Sequence, residues 1–296
     1  MTTIARRISL LSLCCLGLVS ATSQARAQNT SDLPDAPDYA VMAAAPRPEP
    51  LPAAGQTPNA RVDTTTVIPQ REATWRSLPG DFLHDQKDLW TFPVRVAKGH
   101  YLLPTAIVVG GTVGLIYADP HVAPYFRKHA TNWDDFNDVF DPMITTSEVI
   151  ALPAGLMAAG YLRHDNREVS TALLAAEAYG DSVVVNLAMK AVTRRERPAD
   201  IPPNGNFEDT FFSGGKSPFK GSSFPSGHAT AVWSVATVVA ERYRHRGKPW
   251  VPVLAYTMAT AISFSRITES AHFPSDVWLG ASLGYTIAKY QTLSPR

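Results

Sequence analysis

The feature that most constrains the fold of this chain is a series of apolar, alanine-rich segments separated by charged or proline-containing turns. The segments have the length of helices, and no convincing set of alternating strands accompanies them. The pattern therefore predicts an all-α fold, a helical bundle of about six core helices. The predicted helices are 101–118, 148–162, 169–192, 229–243, 250–264 and 277–290.

The first 27 residues have the pattern of a secretory signal peptide. A pair of arginines precedes an apolar run, and the tripeptide at 25–27 has the small-x-small pattern of a cleavage site. We therefore expect the mature chain to begin near Gln28. A lipoprotein signal ending at Cys14 is the less favoured alternative, because bulky Leu13 stands before it.

Composition excludes two classes of function for the mature chain. Both cysteines, Cys14 and Cys15, lie within the predicted signal, so neither a disulfide nor thiolate chemistry is expected. Removing the signal also removes three basic residues, which leaves 24 basic against 26 acidic residues and a net charge near −2. This balance offers no basic surplus for binding nucleic acid.

The chain divides into three predicted regions. Residues 1–27 form the signal peptide, and residues 28–70 form a disordered Pro/Ala-rich linker with eight prolines in 43 residues. Such a linker cannot bury enough apolar surface to offset its ordering entropy. Residues 71–296 form the helical domain, and its first aromatic residues, mixed with charges, could also lie along a membrane surface.

The sequence leaves open whether the helices cross a membrane. A span needs about 20 mostly apolar residues, and the predicted helices are shorter or contain charges such as Glu177 and Lys190. They are either buried helices of a soluble exported domain or short spans of a membrane enzyme. The basic turn 241–248 would suit a cytoplasmic loop. If residue 28 is exported and the three helices before Arg197 all span, Arg197 emerges in the cytoplasm, so we expect at least one of them not to span.

Polar residues gather first at the end of the helix 169–192. Lys190 and Arg197 are seven residues apart, nearly two helical turns, which places them on one face. Pro198 disfavours helix at Arg197 itself, so two cations converge where the helix ends. Taken alone, the segment is better explained as a solvated basic turn.

A second cluster begins the helix 229–243. Ser226 stands at the N-cap position, and Gly227 allows the backbone to approach a ligand closely. Free amides at a helix start bind anions, with His228 beside them. The simpler alternative is an ordinary capped helix with a partly buried histidine. A serine-hydrolase nucleophile is disfavoured because the G-x-S-x-G frame is absent here.

A third cluster precedes the last helix. Pro274 suits the first helical turn, which places Asp276 close enough to accept a hydrogen bond from the ring of His272. That bond would fix the tautomer and leave the other ring nitrogen available. Arg266 adds a third cation. Alternatively, Asp276 only caps the helix and His272 only packs.

In combination, the three clusters closely resemble the three signature motifs of the type 2 phosphatidic acid phosphatase superfamily. This superfamily also includes bacterial class A acid phosphatases and vanadium haloperoxidases. The resemblance covers about 87 residues, 190–276, and every fixed position matches in order. The matching motifs are Lys190-x6-Arg197-Pro198, Pro225-Ser226-Gly227-His228 and Ser265-Arg266-x5-His272-x3-Asp276.

The resemblance implies a role for each matched residue. His272 would be the nucleophile that forms a phosphohistidine, with Asp276 orienting it. His228 would be the general acid that protonates the leaving oxygen and then the base that activates water. The resemblance implies neither a metal nor another cofactor. The residues implied to hold the phosphate oxygens are Lys190, Arg197, Ser226, Gly227 through its amide, and Arg266.

The function that the resemblance implies is a metal-independent phosphatase acting on a phosphomonoester or a pyrophosphate. We expect a lipid phosphate, of the phosphatidate or undecaprenyl pyrophosphate type, and a membrane surface or bilayer as partner. We expect export to the bacterial cell envelope, either in the inner membrane with a periplasm-facing site or in the periplasm. Alternatives are a soluble periplasmic non-specific acid phosphatase, a vanadium haloperoxidase and a catalytically silent phosphate- or lipid-binding protein. The sequence sets neither the leaving group nor the oligomeric state.

Two further segments have alternative interpretations. The loop 199–224 contains five phenylalanines and is either a lid whose aromatics receive a lipid chain or a loop pinned to the domain by those aromatics. The segment 133–142 gathers four aspartates but lacks the glycine and the spacing of a calcium-binding loop. It predicts a capped amphipathic helix.

Overall fold

The structure, a computed structural model, describes residues 71–213, 222–244 and 248–295. The predicted signal peptide 1–27, the predicted linker 28–70, part of the loop 199–224 and part of the basic turn 241–248 lie outside the described residues. Within the described residues the chain forms helices and no strand, as the all-α prediction requires.

In the described part of the chain, seven long helices and one short helix form the domain. They are α1 (Leu78–Ala97), α2 (Leu102–Lys128), α3 (Asp134–Val139), α4 (Pro142–Arg163), α5 (Asn166–Thr193), α6 (Gly227–Arg244), α7 (Trp250–Thr268) and α8 (Pro274–Ile287). A π-helical turn, Ala288–Thr292, continues α8. Short 3-10 turns cover Ala130–Trp133 and Pro198–Asp200.

All six predicted core helices are present. The main differences between the predicted and the observed helices occur where a helix continues through proline. Helix α2 continues through Pro120 and Pro124, where the sequence pattern predicted an end at residue 118. Proline removes one backbone donor and kinks a helix, but neighbouring packing can maintain the helix. Helix α1 was not predicted as a helix. It includes an internal proline, Pro93, and its charged residues interrupt the apolar pattern.

The aspartate-rich segment forms a helix as predicted, although its cap differs. Helix α3 has no side-chain cap. Asp141 instead caps the next helix, α4, because its carboxylate accepts from the backbone amides of Met143 and Ile144. The capping carboxylate therefore serves α4, and Pro142 follows it in the first turn.

Helix α6 lies at the centre and packs against α5, α7 and α8. Its apolar side chains are almost fully buried, among them Val232, Val235 and Val238. Helix α8 approaches α6 closely because it presents glycine at the contact: a Cβ on Gly280 would lie 2.6 Å from the carbonyl oxygen of Ser226. This close contact sets the distance between the start of α6 and the start of α8, where two of the motifs lie.

The described residues contain three helical stretches that are long and apolar enough to cross a membrane: Leu102–Lys128, Ala130–Arg163 and Asn166–Asp200. Helix α2 exposes large apolar side chains along its length, and Leu103 and Tyr117 are 72% and 81% exposed. Such a surface is unfavourable in water and suits lipid. Of the two alternatives that the sequence left open, these features support a membrane protein.

Candidate active site

The three sequence motifs meet at one cavity of about 260 Å³. It lies where α5 ends, α6 begins and the chain enters α8. Five of the predicted site residues line it: Lys190, Arg197, Gly227, His228 and His272. Two imidazoles and two cations therefore face the same space.

A turn, rather than a continuous helix, brings Lys190 and Arg197 together. Helix α5 ends at Thr193, and Arg194 adopts the left-handed conformation with φ of 40°. Arg197 is extended, with φ of −84° and ψ of 149°. The predicted convergence of the two cations is thus present, but the prediction of a shared helix face does not describe how it arises. Pro198 contributes as predicted, because it disfavours helix at Arg197.

The start of α6 is built from Ser226 and held by α5. The Ser226 hydroxyl accepts from the amide of Ala229 at 3.4 Å, so Ser226 occupies the predicted cap position. Its side chain is fully buried, whereas Gly227 lines the cavity. Asn186 of α5 donates to the carbonyl oxygen of Pro225 at 3.3 Å and fixes this segment against α5.

The ring of His272 is oriented through its Nδ1 atom. Nδ1 donates to the carbonyl oxygen of Ser223 at 2.8 Å, and since a carbonyl only accepts, Nδ1 bears the hydrogen. Nε2 therefore keeps its lone pair. Asp276 is adjacent, as predicted, but its Oδ2 lies 3.6 Å from Nδ1, an ion-pair distance that exceeds a good hydrogen bond. The main hydrogen-bond partner of the ring is the backbone of Ser223.

Asp276 is completely buried, and its two oxygens have different partners. Oδ1 accepts from Nη1 of Arg195 at 2.7 Å. Oδ2 accepts from the amide of Phe273 at 2.7 Å and from the hydroxyl of Ser223. Arg195 and Ser223 were not among the predicted site residues. Arg195 lies in a segment that could be a solvated turn. Motif spacing does not indicate that Arg195 is buried while its neighbour Arg194 is exposed.

The ring of His228 faces the start of α4. Its Nε2 atom lies 3.1 Å from the hydroxyl oxygen of Thr146 and 3.4 Å from the carbonyl oxygen of Pro142. The Thr146 hydroxyl itself donates to Pro142 at 2.7 Å, so its oxygen is left to accept from Nε2. Thr146 also lines the cavity. No motif marks Thr146, and it was not among the predicted site residues.

Arg266, like Ser226, is a predicted phosphate ligand that does not line the cavity. It is almost fully buried and donates to Glu269 at 3.1 Å, to Ser265 at 2.8 Å and to the carbonyl oxygen of Phe140. Its charge still acts on His228. Together with Ser226 and Asp276, it is buried next to the residues that line the cavity.

The electrostatic environment sets the protonation of the two rings. Burial, together with the charge of Arg266, lowers the pKa of His228 to about 4. Burial also lowers the pKa of His272, although Asp276 opposes this. Burial would raise the pKa of Asp276, but His272 and the guanidinium of Arg195 hold it below its usual value. At neutral pH the rings are therefore neutral and Asp276 is ionised.

A separate buried acidic group lies on the opposite face of α5. Side-chain oxygens of Asp85, Glu177 and Asp181 lie within 4.8 Å of one another. Protein donors bind all three: Arg71 donates to Glu177 at 2.8 Å, Gln86 to Asp181 at 2.8 Å, and Gln291 to Asp85 at 2.9 Å. We interpret this group as a network that joins α1, α5 and the C-terminal segment.

Comparisons with known proteins agree with the motifs. The sequence model of the PAP2 superfamily matches residues 171–295, which include all three motifs. Lipid A 1-phosphatase of Porphyromonas gingivalis is 37% identical over 68 residues, which are 23% of this chain and 15% of that protein. Decaprenylphosphoryl-5-phosphoribose phosphatase of Mycobacterium tuberculosis is 36% identical over 103 residues, 35% of this chain and 49% of that protein.

The chain thus spans about half, or less, of the length of these two relatives. Among solved structures, it is similar to a transmembrane PAP2-type phosphatidylglycerolphosphate phosphatase from Bacillus subtilis, with 20% identity and a TM-score of 0.38. That similarity covers 72% of this chain and 91% of the other. On this match and the three motifs within it, residues 171–295 of the chain are a PAP2-superfamily region.

Proposed function

We propose that this chain is a metal-independent phosphatase that hydrolyses a phosphomonoester or a pyrophosphate through a phosphohistidine on His272. One observation carries the proposal. Nδ1 of His272 donates to Ser223, so the lone pair of Nε2 is available in a cavity that Lys190 and Arg197 also line. A neutral imidazole beside two cations suits attack on an anionic phosphoryl group.

In the first step, Nε2 of His272 forms a bond to phosphorus as the bond to the leaving oxygen breaks. Lys190, Arg197 and the amide of Gly227 hold the phosphoryl oxygens. Phosphorylation on Nε2 makes the His272 ring cationic, because Nδ1 keeps its hydrogen. The ionised carboxylate of Asp276, 3.6 Å from Nδ1, stabilises that charge.

His228 supplies the proton for the leaving oxygen and later removes one from water. Its low pKa leaves it neutral in the ligand-free protein, so it must gain a proton before it can act as an acid. The negative charge of a bound phosphoryl group favours the protonated ring. After the leaving group departs, neutral His228 accepts a proton from the water that attacks phosphorus. That attack breaks the bond to His272 and releases phosphate.

The substrate that we propose is a lipid phosphate. Beyond the phosphate-facing residues, the cavity follows α4, α5 and α6 and is lined there by Val149, Val183, Leu187 and Ala231. Such a lining suits an apolar leaving group. Two further observations support the proposal: three helices are long enough to cross a membrane, and the two curated relatives are named for lipid-linked phosphates.

The phenylalanine-rich loop contributes less to this proposal than the cavity does. Of its described phenylalanines, Phe207 packs on Phe273 with ring centres 6.5 Å apart, and Phe211 lies against the guanidinium of Arg195, whose central carbon is 4.5 Å from the ring centre. Phe212 is exposed. These contacts favour the interpretation of a loop pinned to the domain. We therefore propose the cavity, rather than the loop, as the site of the lipid chain.

The test is phosphate release by the purified full chain in detergent, with a chelator present. A long-chain lipid phosphate is compared with a small aryl phosphate, and His272→Ala serves as the blank. His84→Ala, at an exposed position of α1, is the matched control and should behave like the wild type. We expect release that depends on His272 and favours the lipid.

Each other outcome selects an alternative. Equal or faster release from the aryl phosphate supports a non-specific acid phosphatase. Release that the chelator abolishes contradicts the metal-independent mechanism. No release above the blank from either substrate contradicts the phosphatase proposal and supports a silent binding protein. Vanadate should inhibit as a phosphate analogue, and halide oxidation by peroxide in its presence would support a haloperoxidase.

For the location, we propose the bacterial cell envelope, with the cavity facing the periplasm. Three candidate spans follow α1, and the cavity lies toward the end of the third, so export of residue 28 and crossing by all three would place the cavity on the cytoplasmic side. The proposal therefore requires that one of them does not cross. Single cysteines at the exposed positions Arg76 and Asp209, labelled from the periplasm with an impermeant maleimide, should both react. Labelling of position 76 alone would contradict the periplasmic site.

A further inference from the structure

Arg195 is a fully buried cation that binds two carboxylates at once. Nη1 donates to Asp276 and to the hydroxyl of Ser275, each at 2.7 Å. Nη2 donates to Asp119 at 2.7 Å, and Nε donates to Thr210 at 3.0 Å. The fork of the guanidinium thus spans two elements of the fold, α2 and α8.

Aromatic rings complete the environment of this guanidinium. Its central carbon lies 3.8 Å from the ring centre of Phe273 and 4.5 Å from that of Phe211. Such stacking fixes the plane of the fork and excludes water from its faces. The direction of the bond to Asp276 is therefore set by packing on Phe273, the residue next to His272.

Asp119 is held as firmly as Asp276. It is completely buried in α2, and it accepts from the hydroxyl of Ser275 at 2.5 Å and from the amide of Ser275 at 3.2 Å. Arg195, Ser275 and the two aspartates form a closed set of hydrogen bonds at the first turn of α8. Asp119 lies outside the residues that the family model matches.

The charge balance of this set has a consequence for His272. One guanidinium faces two carboxylates, so Asp276 shares the Arg195 charge with Asp119. Asp276 therefore retains more of its negative potential toward the His272 ring than it would in a simple ion pair. A buried pair with only one carboxylate would be neutral and would stabilise a cationic ring less.

We propose that Arg195 and Asp119 are positioning residues: Arg195 orients Asp276 beside His272, and Asp119 holds Arg195 and offsets its charge. This inference rests on the proposed role of His272 as the nucleophile. Neither residue touches the substrate, and neither forms or breaks a covalent bond. A candidate membrane span thereby contributes to the site from outside the matched region.

The first test compares Arg195→Lys with Arg194→Lys, the same change at the exposed neighbouring position. Lysine keeps the charge but cannot bind both carboxylates in the fork geometry. We expect Arg195→Lys to lower kcat about 10- to 100-fold, because a small misplacement of a reacting group has effects of this size, with KM nearly unchanged. Arg194→Lys should match the wild type. Single-turnover kinetics should place the loss in formation of the phosphoenzyme.

The second test uses Asp119→Asn and the milder Ser275→Ala, which serve if Arg195→Lys does not fold. Both should lower kcat. Where Arg195→Lys folds, its combination with Asp119→Asn should be non-additive because the two residues are in direct contact. Thermal unfolding and kcat per folded molecule separate positioning from stability. Unchanged kcat in all three variants, or a loss explained entirely by unfolded protein, would overturn the inference.

A readout without turnover separates this inference from the proposed function. Ring nitrogen NMR shifts of His272 report its environment in the ligand-free protein. They should change in Arg195→Lys and Asp119→Asn and not in Arg194→Lys. Unchanged shifts in the first two variants would overturn the positioning role. If these two variants show the shift changes but the wild type releases no phosphate that depends on His272, the phosphatase proposal is contradicted instead.

Discussion

Arg195 and Arg71 are both buried, and each bonds to carboxylates from more than one part of the chain. Arg195 binds Asp119 and Asp276 at 2.7 Å each. Arg71 binds Asp81 and Glu177 at 2.8 Å each, and it also donates to the carbonyl oxygen of Thr292. Both networks therefore hold a buried guanidinium between carboxylates from separate elements.

The two networks differ in what lies next to them. A carboxylate bound by Arg195, Asp276, is 3.6 Å from the ring of His272, which lines the cavity. The carboxylates bound by Arg71 belong to α1 and to the face of α5 opposite Lys190. We infer that the first network positions the site and that the second joins helices. Burial and charge alone therefore do not identify a functional network; contact with a reacting group does.

The largest expected effect is that of Asp276→Asn, which removes a carboxylate from the Arg195 network. We expect kcat to fall about 10³-fold or more, because the cationic phosphohistidine loses its nearest negative charge; the corresponding change in serine proteases costs about 10⁴. Single-turnover phosphate release measures it. Asp81→Asn, which removes a carboxylate from the Arg71 network, should keep kcat near the wild-type value. Equal losses in both variants would contradict the contrast.

Arg71→Met should show the reverse pattern. It leaves buried carboxylates without their cation, so we expect a loss of about 3–5 kcal/mol in the free energy of unfolding. The Tm should fall by roughly 10 °C, while kcat per folded molecule stays unchanged. Thermal unfolding in detergent measures the Tm, and steady-state kinetics at low temperature measure kcat. The exposed Arg76→Met is the matched control. A kcat that falls with intact Tm would contradict the assignment.

Thr146→Val removes the hydroxyl that faces His228. We expect kcat to fall by about tenfold, corresponding to one hydrogen bond of roughly 1–1.5 kcal/mol, because His228 loses the contact that orients its ring. Thr146→Ser keeps the hydroxyl and should restore most of the activity. Steady-state kinetics with a lipid phosphate measure kcat in both variants. Loss of kcat in both variants would show that Thr146 acts through packing rather than through its hydroxyl.

The smallest expected effect is a dependence of stability on pH that originates at the cavity. The pKa of His228 is about 4 in the folded protein, below the usual value of 6.5. Between these values the unfolded chain binds more protons, so the stability contributed by His228 is present above pH 6.5 and is lost as pH falls toward 4. The Tm difference between pH 7 and pH 5 should be smaller in His228→Asn than in the wild type, whereas Arg71→Met should retain it. An equal difference in His228→Asn would contradict this.

The fold was largely predictable from sequence because its helices are long, apolar and unbroken by strand-like alternation. All six predicted core helices are present, whereas α1 and the full extent of α2 were not predicted. Proline was treated as a boundary, but Pro120 and Pro124 lie within α2, where packing compensates for the missing donors. The local sequence pattern does not show which prolines are compensated by packing against other helices.

The candidate site was predictable where motif spacing carries the information and not where contact depends on distant parts of the chain. The convergence of Lys190, His228 and His272 at one cavity follows the motifs. Thr146 and Asp119 reach the site from α4 and α2 by tertiary packing alone, and no local pattern distinguishes them from ordinary helical residues. The hydrogen-bond partner of the His272 ring was predicted to be Asp276, but it is the carbonyl oxygen of Ser223. A backbone carbonyl has no sequence signature, so this contact could not be predicted.

The most direct test of this account is to trap the phosphoenzyme. The full chain is mixed with a lipid phosphate labelled at phosphorus, quenched within one turnover in alkali, in which phosphohistidine is stable, and mapped by mass spectrometry. The account predicts label on His272 in the wild type, a longer-lived label when His228 is replaced by Asn, and none in His272→Ala. Label on another residue, or label that persists in His272→Ala, would contradict it.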